Sequence, residues 1–493
     1  MLDRSLSERP DAVAVVARGG TLTYRELDTA ADCAAGALAQ LGVRPGDRVA
    51  ACLPNDLHVV VAFHAVMRLG AVWVGVNAPL ALPEKVQVLA DCGASVLLGD
   101  PQVVAEVAQV RATLPALRGL VVVGDESWLR LLRDAPPPPA STVDPHAPAG
   151  IAYTSGTTGT PRGVVHSQHN LLLPGAVLVA ERGYDHTLRK GDCLPLTILN
   201  MMVLTTLLTA QAGGCCVVID RRDAAGVAHW IRTQDVTVWN GVPAQLHDLI
   251  RGEAVSSEDL RSLREVWSGG GDCPDALRRS FEAAFGLPLR ATYGLTEAPT
   301  VVAIDPVGGA WAPGASGRPL PHLRVHVLDA TDGLGEICVS AAEDGPWAGE
   351  WTPMLGEWQN GQVVPAADDL LRTGDLGHVD AGGWLHVRDR RKLVVVRGGA
   401  NVYPAEVERV LHTLPGVAAA AVFGTPDERL GERVAAVVQA VPGQRPSEAD
   451  LVAGCRAGLA AYKVPERWAF VDALPRNAMG KVVRPALSAL LEG

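Results

Sequence analysis

The first third of the chain alternates between amphipathic patterns of helical period and short, continuous apolar runs. Residues 25–42 form an Ala-rich amphipathic pattern that ends in a glycine, as expected of a helix. The runs RVAACL (48–53) and AVWVGV (71–76) are typical of buried strands, and helical patterns cover 58–70 and 83–93. Such alternation predicts βα units built around a parallel sheet that is covered on both faces.

A Pro/Ala-rich connector at 134–149 precedes a second α/β half, in which strand and helix patterns alternate as far as residue 286. Between 300 and 388, short strand patterns alternate with Gly and Pro, which indicates a small barrel or an open sheet. The remaining C-terminal residues combine helix and strand patterns in a compact module. The sequence therefore predicts an α/β fold: a large N-terminal domain of two βα-layered subdomains and a small β-barrel-like subdomain, then a small α+β C-terminal domain.

Size, composition and charge limit the classes of function. At 493 residues the chain is too long for a single compact core, and its 48% hydrophobic and 20% charged residues are ordinary for a folded globular protein. The formal net charge of −11 argues against a nucleic-acid partner, because no basic surplus is present to neutralise phosphates.

The uncharged segment 193–219 is long enough to raise the question of a membrane span. It contains Pro195, Asn200, Gln211 and a Gly213-Gly214 pair, and this mixture predicts a buried helix followed by a buried strand. The N-terminal residues lack the apolar run of a signal peptide, and the nine cysteines show no CxxC spacing. We therefore expect a soluble cytoplasmic protein with core thiols and no stable membrane insertion.

The strongest local signal for chemistry is a loop of Thr, Ser and Gly that follows the strand pattern at 151–154. It comprises Thr154, Ser155, Gly156, Thr157, Thr158, Gly159 and Thr160. Glycines let the backbone close around an anion, and hydroxyl and peptide N–H groups supply neutral donors to phosphate oxygens. The loop lacks the GK[ST] end of a Walker A motif, and we expect a helix directly after it. Taken alone, the loop could be an ordinary solvated turn.

Four further polar elements follow in order along the chain. They are ATYGLTEA at 291–298, LRTGDLG at 371–377, RDRRKLVVVRGGANVYPAEVE at 388–408 and PRNAMGKVVR at 475–484. Each could be structural by itself, since an aspartate beside a glycine often forms a turn and a lysine near a chain end is often a solvated surface residue.

Together with the loop, these elements resemble the motifs of the ANL superfamily of adenylate-forming enzymes, and within it the acyl-CoA synthetase branch. The superfamily also includes peptide-synthetase adenylation domains and firefly-type luciferases, and the resemblance covers nearly the whole chain. It implies an ATP-dependent ligase that joins a carboxylic acid to coenzyme A through an acyl-AMP intermediate. It also implies an N-terminal adenylation domain at 1–389, a hinge at 390–392 that turns about Lys392, and a mobile C-terminal domain at 393–493.

The resemblance assigns roles in nucleotide binding to the first two motifs. The loop from Thr154 to Gly159, with Arg162 after it, would hold the phosphates of ATP. Glu297 would bind Mg²⁺, with Thr296 near the α-phosphate. Tyr293 would pack on the adenine.

The later motifs would complete the site. Asp375 would accept the ribose hydroxyls, with Arg390 assisting. Lys481 would bridge the carboxylate of the acid and the phosphate, and so stabilise charge in the transition state. The thiol arm of coenzyme A would pass a glycine turn made by Gly398, Gly399 and Asn401.

The resemblance also locates the acyl site. Amino-acid-activating members carry an aspartate where this chain has Thr197, and a neutral residue there would leave a substrate ammonium unpaired. An α-amino acid is therefore disfavoured, and we expect a roomy apolar site for a bulky aliphatic, alicyclic or aryl acid. Asn200 could read a polar substituent of the acid or could be a buried structural amide. The lining residues would be Thr197, Ile198, Asn200, Met201, Trp239, Gly269, Gly270 and Gly271.

The chain departs from the usual motifs at several positions in or near the adenylating half. Arg162 stands where the family usually has lysine, Asp389 replaces a glycine before the hinge arginine, and Glu357 replaces a tyrosine. Thr197 and Ile198 stand where many acyl-CoA and aryl ligases have an aromatic-His pair. One alternative is therefore an enzyme with weak or absent adenylation that converts preformed acyl-adenylate and coenzyme A to the thioester.

Other classes share part of this pattern. A stand-alone enzyme that loads a carrier protein has the same motifs, although we expect free coenzyme A to be the acceptor. A luciferase-like oxygenase shares the first step, but nothing in the sequence indicates oxygen chemistry. A degenerate nucleotide-binding sensor would be expected to lack Lys481 or Glu297, and both are present.

Overall fold

The computed structural model describes residues 1–138, 143–154, 162–252, 255–309, 311–331, 333–366, 368–398, 400–444, 446–477 and 480–491. The strands of the first three hundred residues are β1 (Val13–Ala17), β2 (Gly20–Thr23), β3 (Arg48–Cys52), β4 (Val72–Gly75), β5 (Val96–Gly99), β6 (Gly119–Val122), β7 (Pro148–Thr154), β8 (Arg162–Ser167), β9 (Arg189–Asp192), β10 (Cys215–Val218), β11 (Val238–Gly241), β12 (Glu265–Ser268) and β13 (Leu289–Leu295). The later strands are β14 (Thr300–Ile304), β15 (Arg318–Pro319), β16 (Leu323–Thr331), β17 (Leu334–Ala341), β18 (Gly356–Gln359), β19 (Gln362–Pro365), β20 (Leu371–Val379), β21 (Leu385–Arg390), β22 (Val395–Arg397), β23 (Ala400–Val402), β24 (Val417–Asp427), β25 (Gly431–Ala440) and β26 (Arg467–Val471).

Several helices follow the predicted amphipathic segments and begin at a polar cap. At the start of the helix Tyr24–Gln40, the Thr23 hydroxyl accepts the N–H of Glu26, and the Glu26 carboxylate accepts the N–H of Thr23. The helices are α1 (Asp3–Glu8), α2 (Tyr24–Gln40), α3 (Leu57–Arg68), α4 (Leu82–Cys92), α5 (Pro101–Gln109), α6 (Glu126–Asp134), α7 (Gln168–Arg182), α8 (Leu199–Met201), α9 (Leu208–Ala212), α10 (Ala224–Thr233), α11 (Pro243–Arg251), α12 (Asp275–Phe285), α13 (Pro404–Leu411) and α14 (Glu448–Gly458). A π-helical turn, Met202–Leu207, joins α8 to α9.

Two large sheets form the body of the N-terminal part. Their strand orders are β15-β14-β13-β12-β11-β9-β10-β1-β2 and β19-β18-β8-β7-β4-β3-β5-β6. In the first sheet the strands from β13 to β1 pair in parallel, and the strands at both edges pair antiparallel. In the second sheet the strands from β7 to the edge strand β6 pair in parallel, and the other edge, formed by β8, β18 and β19, pairs antiparallel. In β3, the consecutive residues Val49, Ala50 and Ala51 are all fully buried. Because successive side chains of a strand point to opposite faces, this sheet is covered on both faces, as predicted.

Two smaller sheets complete the fold. The strands β16-β17-β20-β21 form a four-stranded antiparallel sheet, which is the small β subdomain expected between 300 and 388. The strands β23-β22-β25-β24, with β26 paired to β25, form the sheet of the C-terminal domain. Helices α13 and α14 pack on that sheet through a core that includes Val407, Leu411 and Leu451. The mixed α/β architecture, with a large N-terminal domain of several sheets and a small C-terminal domain, confirms the predicted fold class.

The two large sheets do not correspond to the two consecutive α/β halves that the sequence predicted, because each sheet takes strands from both halves. Strands β1 and β2 belong to the same sheet as β9 to β15, because Val15 pairs in parallel with Cys216. Strands β7 and β8 lie after the proline-rich connector but join the sheet of β3 to β6. The connector at 134–149 is therefore not a boundary between sheets. Pattern alone predicts strands but not the partner with which each strand pairs.

The expectation of a helix directly after the Thr/Ser/Gly loop is wrong. The loop lies between β7 and β8, which form an antiparallel pair, and α7 begins only at Gln168. The short apolar run after Arg162 forms β8, because Ile151 of β7 and Val165 pair across the hairpin.

The uncharged segment 193–219 is buried, as predicted. It forms α8, the π-helical turn, α9 and the strand β10, whose four residues are all buried. In the part of the chain that the structure describes, no helix is both long and apolar enough to cross a membrane. All nine cysteines carry free thiols, and most of them are buried.

Candidate active site

The loop between β13 and β14 carries Thr296 and Glu297, and two backbone contacts hold it. His166 on β8 donates from Nε2 to the carbonyl oxygen of Thr296 at 2.7 Å. The N–H of Met354 donates to the carbonyl oxygen of Glu297 at 2.9 Å. Burial lowers the pKa of His166 to about 4, so the ring is neutral at pH 7. The sequence analysis did not identify His166, since no sequence signal connects it with a loop 130 residues later.

Tyr293 on β13 of a large sheet meets Asp375 on β20 and Arg390 on β21 of the four-stranded sheet. The space beside these three residues is called the cleft below. The Tyr293 hydroxyl donates to Asp375 Oδ2 at 2.7 Å, and Arg390 Nε lies 3.1 Å from Asp375 Oδ1. The pairing of β20 with β21 sets Asp375 directly opposite Arg390. Burial and the neighbouring carboxylate raise the pKa of Tyr293 well above its usual value, so its hydroxyl remains a donor. The Asp375 carboxylate is buried and oriented by two partners.

Lys481 reaches this cleft from the C-terminal domain. Its Cε lies 3.8 Å from the position that a Cβ would occupy at Gly270, although Lys481 as a whole is exposed to solvent. Partial desolvation by the surrounding protein and the Arg390 guanidinium lower the pKa of Lys481. The carboxylates of Asp375 and Glu297 act in the opposite direction. The structure therefore brings Lys481 near Glu297, Asp375 and Arg390, although Lys481 and Glu297 lie 184 positions apart in the sequence.

The two ends of the phosphate-loop candidate are described, but its centre is not. Ser155, Gly156, Thr157, Thr158 and Gly159 lie outside the described residues. Thr154 and Arg162 pair across β7 and β8, and Arg162 Nη1 lies 2.7 Å from Glu357 Oε1 on β18. Two departures from the usual motifs therefore contact each other.

The hinge and the glycine turn belong to the start of the C-terminal part. Lys392 lies in an exposed 3₁₀ turn, Arg391–Leu393. Gly398 has a φ of +59° and donates its N–H to the carbonyl oxygen of Leu430 at 2.7 Å, within the small domain. Asn401 lies on β23 and is exposed, and Gly399 lies outside the described residues. From the described residues of this hairpin, hydrogen bonds and an ion pair lead to other parts of the C-terminal domain, namely Leu430, Glu432 and Glu466.

The acyl-site candidates fall into three environments. Thr197 is buried, and its hydroxyl donates to Asn77 Oδ1 at 3.0 Å. Its carbonyl oxygen passes so close to Gly75 that a Cβ there would lie 1.5 Å from it. The neighbours Ile198 and Asn200 are half-buried.

The remaining acyl-site candidates lie farther along the chain. Met201 is buried at the end of α8. Gly269, Gly270 and Gly271 follow β12 and border the cleft beside Lys481. Trp239 is fully buried in the core, where its ring packs against Gly241.

A buried polar network lies behind the helix that carries several acyl-site candidates. Lys190 Nζ lies 2.7 Å from Asp192 Oδ2, and both side chains are 0% exposed. The Thr205 hydroxyl, on the π-helical turn, donates to the same carboxylate, and Asn240 accepts a bond from Lys190. The sequence analysis did not predict this network, because the sequence of β9 does not show which side chains Lys190 and Asp192 contact.

Family signatures match most of the chain. The signature of AMP-binding enzymes matches residues 2–343, and that of the AMP-binding enzyme C-terminal domain matches residues 406–481. The fatty acid–[acyl-carrier-protein] ligase ScoC of Streptomyces coeruleorubidus is 34% identical, over 97% of this chain and 93% of that protein. A feruloyl-CoA synthase of an Amycolatopsis species is 35% identical, over 96% of this chain and 95% of that protein.

Solved structures share the whole fold. The crystal structure of the anthranilate CoA ligase AuaEII with anthranoyl-AMP superposes with a TM-score of 0.90 at 27% identity, over 99% of this chain and 96% of that one. MatB from Rhodopseudomonas palustris, 28% identical, gives a TM-score of 0.88 in its ATP-bound form and 0.76 in its apo form, in each case over 99% of this chain and at least 97% of MatB. This chain therefore superposes better on the ATP-bound form of MatB than on its apo form.

Proposed function

This chain belongs to the AMP-binding enzyme family, and we propose that it is an ATP-dependent acid–CoA ligase that acts on a bulky apolar carboxylic acid and not on an α-amino acid. The reaction has two steps. The acid and ATP give acyl-AMP and pyrophosphate, and acyl-AMP and the thiol of coenzyme A then give the thioester, AMP and a proton.

The observation that carries this proposal is the position of Lys481 in the cleft beside Asp375, Arg390 and Glu297. In the first step an oxygen of the acid attacks the α-phosphorus, and the bond to pyrophosphate breaks. Negative charge accumulates between the two reactants at that point. An ammonium group fixed there stabilises the transition state more than the separated reactants, without any proton transfer.

Asp375 supports the ribose part of the proposal. A carboxylate can accept several hydrogen bonds, so Asp375 retains acceptor capacity for ribose hydroxyls beside its bonds to Tyr293 and Arg390. The Tyr293 ring forms part of the same wall, where we propose that it packs on the adenine. Thr154 and Arg162, at the ends of the phosphate loop, would contact the phosphates.

The residues also fit a magnesium ion that arrives with ATP. Magnesium prefers oxygen ligands and usually takes one or two carboxylates together with substrate phosphates and waters. Glu297 supplies a half-buried carboxylate, and Thr296 supplies a neighbouring hydroxyl. Among the described residues there is no cluster of three or more His, Cys, Asp or Glu that would hold a metal ion without the nucleotide. Mg²⁺ would neutralise the charge of the departing pyrophosphate, and Glu297 would hold it.

The surroundings of Thr197 support the assignment of the acid. Its hydroxyl is engaged by Asn77, and no carboxylate stands at this position to pair with a substrate ammonium. Ile198 and Met201 provide apolar surface on the same segment. The glycines 269–271 leave space beside Lys481, so a wide acyl group can approach the reacting carboxylate. We assign Asn200 and Trp239 to the surroundings of this site as well.

The second step requires the C-terminal domain to turn. We propose that residues 1–389 form the adenylating domain, that 390–392 act as the hinge about Lys392, and that 393–493 move as one body. The turn would bring Gly398, Gly399 and Asn401 to the cleft, where the absence of bulky side chains lets the thiol arm pass.

The departures from the usual motifs do not remove the charges that adenylation needs. Arg162 retains a cation at the end of the loop and is held by Glu357. Asp389 makes hydrogen bonds of its own across the hinge. These contacts favour a complete two-step ligase over an enzyme that only forms thioesters.

A panel of carboxylic acids tests the proposal. Purified protein is incubated with Mg²⁺-ATP and coenzyme A, and pyrophosphate and acyl-CoA are measured separately. We expect equal amounts of both with bulky apolar acids and neither with α-amino acids. Acyl-CoA from synthetic acyl-adenylate without pyrophosphate from any acid would instead establish a thioester-forming enzyme. Thioester formation only on a phosphopantetheinylated carrier protein would identify a loading enzyme.

A pair of lysine variants tests the role of Lys481. Lys481→Ala should lower pyrophosphate release by roughly a hundredfold or more, because it removes a preorganised charge from the transition state, and ATP binding should remain. Lys463→Ala is the matched control, since Lys463 lies in the same domain but pairs with Glu406 at 2.7 Å. An equal loss in both variants would contradict a role in the reaction.

A further inference from the structure

The carboxylate of Asp389 forms a contact across the hinge. Asp389 is the next-to-last residue of β21, and its side chain is almost completely buried. Its Oδ1 accepts the N–H of Arg390 at 2.7 Å, and its Oδ2 accepts the N–H of Ala405 at 2.8 Å. Ala405 is the second residue of α13, on the other side of residues 390–392.

The bond to Ala405 replaces a missing helix cap. The first N–H groups of a helix have no partner within the helix, and a side chain just before it usually accepts one of them. The residue before α13 is Tyr403, which makes no side-chain cap, and Pro404 has no N–H. Asp389 therefore caps a helix of the small domain from a strand of the large domain. Its negative charge also suits the positive end of the helix dipole.

Helix α13 is in turn connected to Lys481. Glu408 on α13 lies 2.9 Å from Arg484 Nη2, and it also accepts the N–H of Val422 at 2.8 Å. Arg484 follows Lys481 by three residues. A chain of polar contacts therefore runs from Asp389 through α13 to the segment that carries the cleft lysine.

A second contact docks the other end of the same helix on the large domain. Arg409 Nε lies 3.5 Å from Asp272 Oδ2, and Asp272 follows the glycines that border the cleft. This pair is longer and more exposed than the bond of Asp389, so Asp389 makes the shorter of the two contacts.

We propose that Asp389 is a positioning residue that holds α13, and with it Lys481, in the arrangement that forms acyl-AMP. This inference rests on the proposed two-step function. Because Asp389 and Ala405 lie on opposite sides of the hinge, a turn about Lys392 separates them. The bond favours the first half-reaction and must break before the second.

Comparison of the two half-reactions tests the proposal. Asp389→Ala should lower pyrophosphate release roughly tenfold, which is the loss expected for one charge-assisted hydrogen bond. The KM values for the acid and ATP should change less than twofold. Thioester formation from synthetic acyl-adenylate should be unchanged or faster. Asp389→Asn retains the shape and an acceptor oxygen but not the charge, so it should give an intermediate loss and remains testable if the alanine variant folds poorly.

A matched cap variant separates positioning from ordinary stability. Asp125 caps α6 with a bond of 2.7 Å to the N–H of Trp128, far from the hinge in the sequence. Asp125→Ala should lower stability but leave the ratio of the two half-reactions unchanged. An equal loss of both half-reactions in Asp389→Ala, or an unchanged pyrophosphate rate, would overturn the proposal.

Limited proteolysis at the hinge tests this inference without measuring catalysis, so its result does not depend on the proposed function. The hinge residues Arg390, Arg391 and Lys392 are exposed and are substrates for trypsin. Loss of the Asp389 bond should speed cleavage at the hinge in Asp389→Ala but not in Asp125→Ala. If wild-type protein released no pyrophosphate with any acid but hinge cleavage still rose in Asp389→Ala, the proposed function would be overturned and the positioning role supported. Unchanged cleavage would count against the positioning role.

Discussion

At the scale of single residues, the contact between Arg162 and Glu357 is informative because both depart from the usual motifs. Their side chains are 51% and 24% exposed, and the ion pair joins the end of the phosphate loop to the neighbouring strand β18. The carboxylate orients the arginine, and in the proposed ATP site it would also compete with phosphate oxygens for the same guanidinium.

Glu357→Gln tests that competition. The uncharged amide should release Arg162 to the phosphates and lower the KM for Mg²⁺-ATP by about 1.5- to 5-fold, in line with the about 0.2–1 kcal/mol of an exposed ion pair. Glu343→Gln is a suitable control, because Glu343 forms a similar exposed pair with Arg324 at 2.7 Å. Steady-state kinetics at several ATP concentrations would reveal the change. A higher KM in Glu357→Gln would instead indicate that the ion pair holds Arg162 in its productive position.

At the scale of elements, a hydrogen bond to a buried carboxylate connects the π-helical turn between α8 and α9 to strand β9. The Asp192 carboxylate on β9 binds both Lys190 and the hydroxyl of Thr205 in the turn. Turns of this kind widen a helix locally and often occur at functional sites. The network therefore fixes the helix that follows the acyl-site candidates Thr197 and Ile198.

Removal of one charge from this network should be far more harmful than removal of both. Lys190→Met leaves Asp192 buried without its cation and should lower the free energy of unfolding by about 3–5 kcal/mol. The double variant Lys190→Met/Asp192→Leu should recover most of that loss, since apolar side chains of similar size fill the same space. Denaturant unfolding of the three proteins measures both values. Equal losses in the single and the double variant would show that the network has no electrostatic part.

At the scale of the whole molecule, several buried histidines make the fold sensitive to acid. Burial, together with the nearby Arg68 and the N-terminal amino group, lowers the pKa of His64 to about 3. Burial also lowers the pKa of His166 and of His322 to about 4. An unfolded chain binds protons at these histidines below about pH 6.5, whereas the folded chain does not. Stability is therefore unaffected by them above pH 6.5 and decreases as the pH falls from there toward 4.

His64→Leu isolates one of these contributions. At pH 5 the forced neutrality of His64 should cost wild-type protein about 2 kcal/mol, and the cost should vanish at pH 7.5. The Tm of the variant relative to wild type should therefore rise between pH 7.5 and pH 5. Thermal scans at both pH values provide the measurement. A Tm difference that is the same at both would contradict the neutral, buried state of His64.

The sequence was sufficient for the local parts of the fold, and its motifs named residues that the fold brings close together. The helix over 25–42 and the strands near 48–53 and 71–76 follow directly from their hydrophobic periods. Asp375 and Lys481 were identified from motif residues that the fold then brings together. That Asp375 and Lys481 lie close together in space was implied only by the family resemblance, because a local sequence pattern cannot show which distant residues are neighbours in the fold.

Features that depend on contacts between segments far apart in the chain could not be predicted from the sequence. The parallel pairing of β1 with β10 joins segments two hundred residues apart, and β8 was missed because its short apolar run precedes a long helical pattern. The support of Thr296 by His166 and the cap that Asp389 provides to α13 are single hydrogen bonds between remote segments. Such bonds follow from the packed arrangement and leave no periodic signal.

The contact at Gly75 restricts which positions beside the proposed acyl site can change. Any side chain at position 75 would overlap the Thr197 carbonyl oxygen, and backbone cannot yield as a flexible side chain does. Natural drift and laboratory selection alike should therefore retain glycine there, even in libraries that randomise the position. In the proposed acyl site, neighbouring side chains such as Ile198 and Met201 are the positions open to change, and libraries for altered substrate range are best directed to those codons.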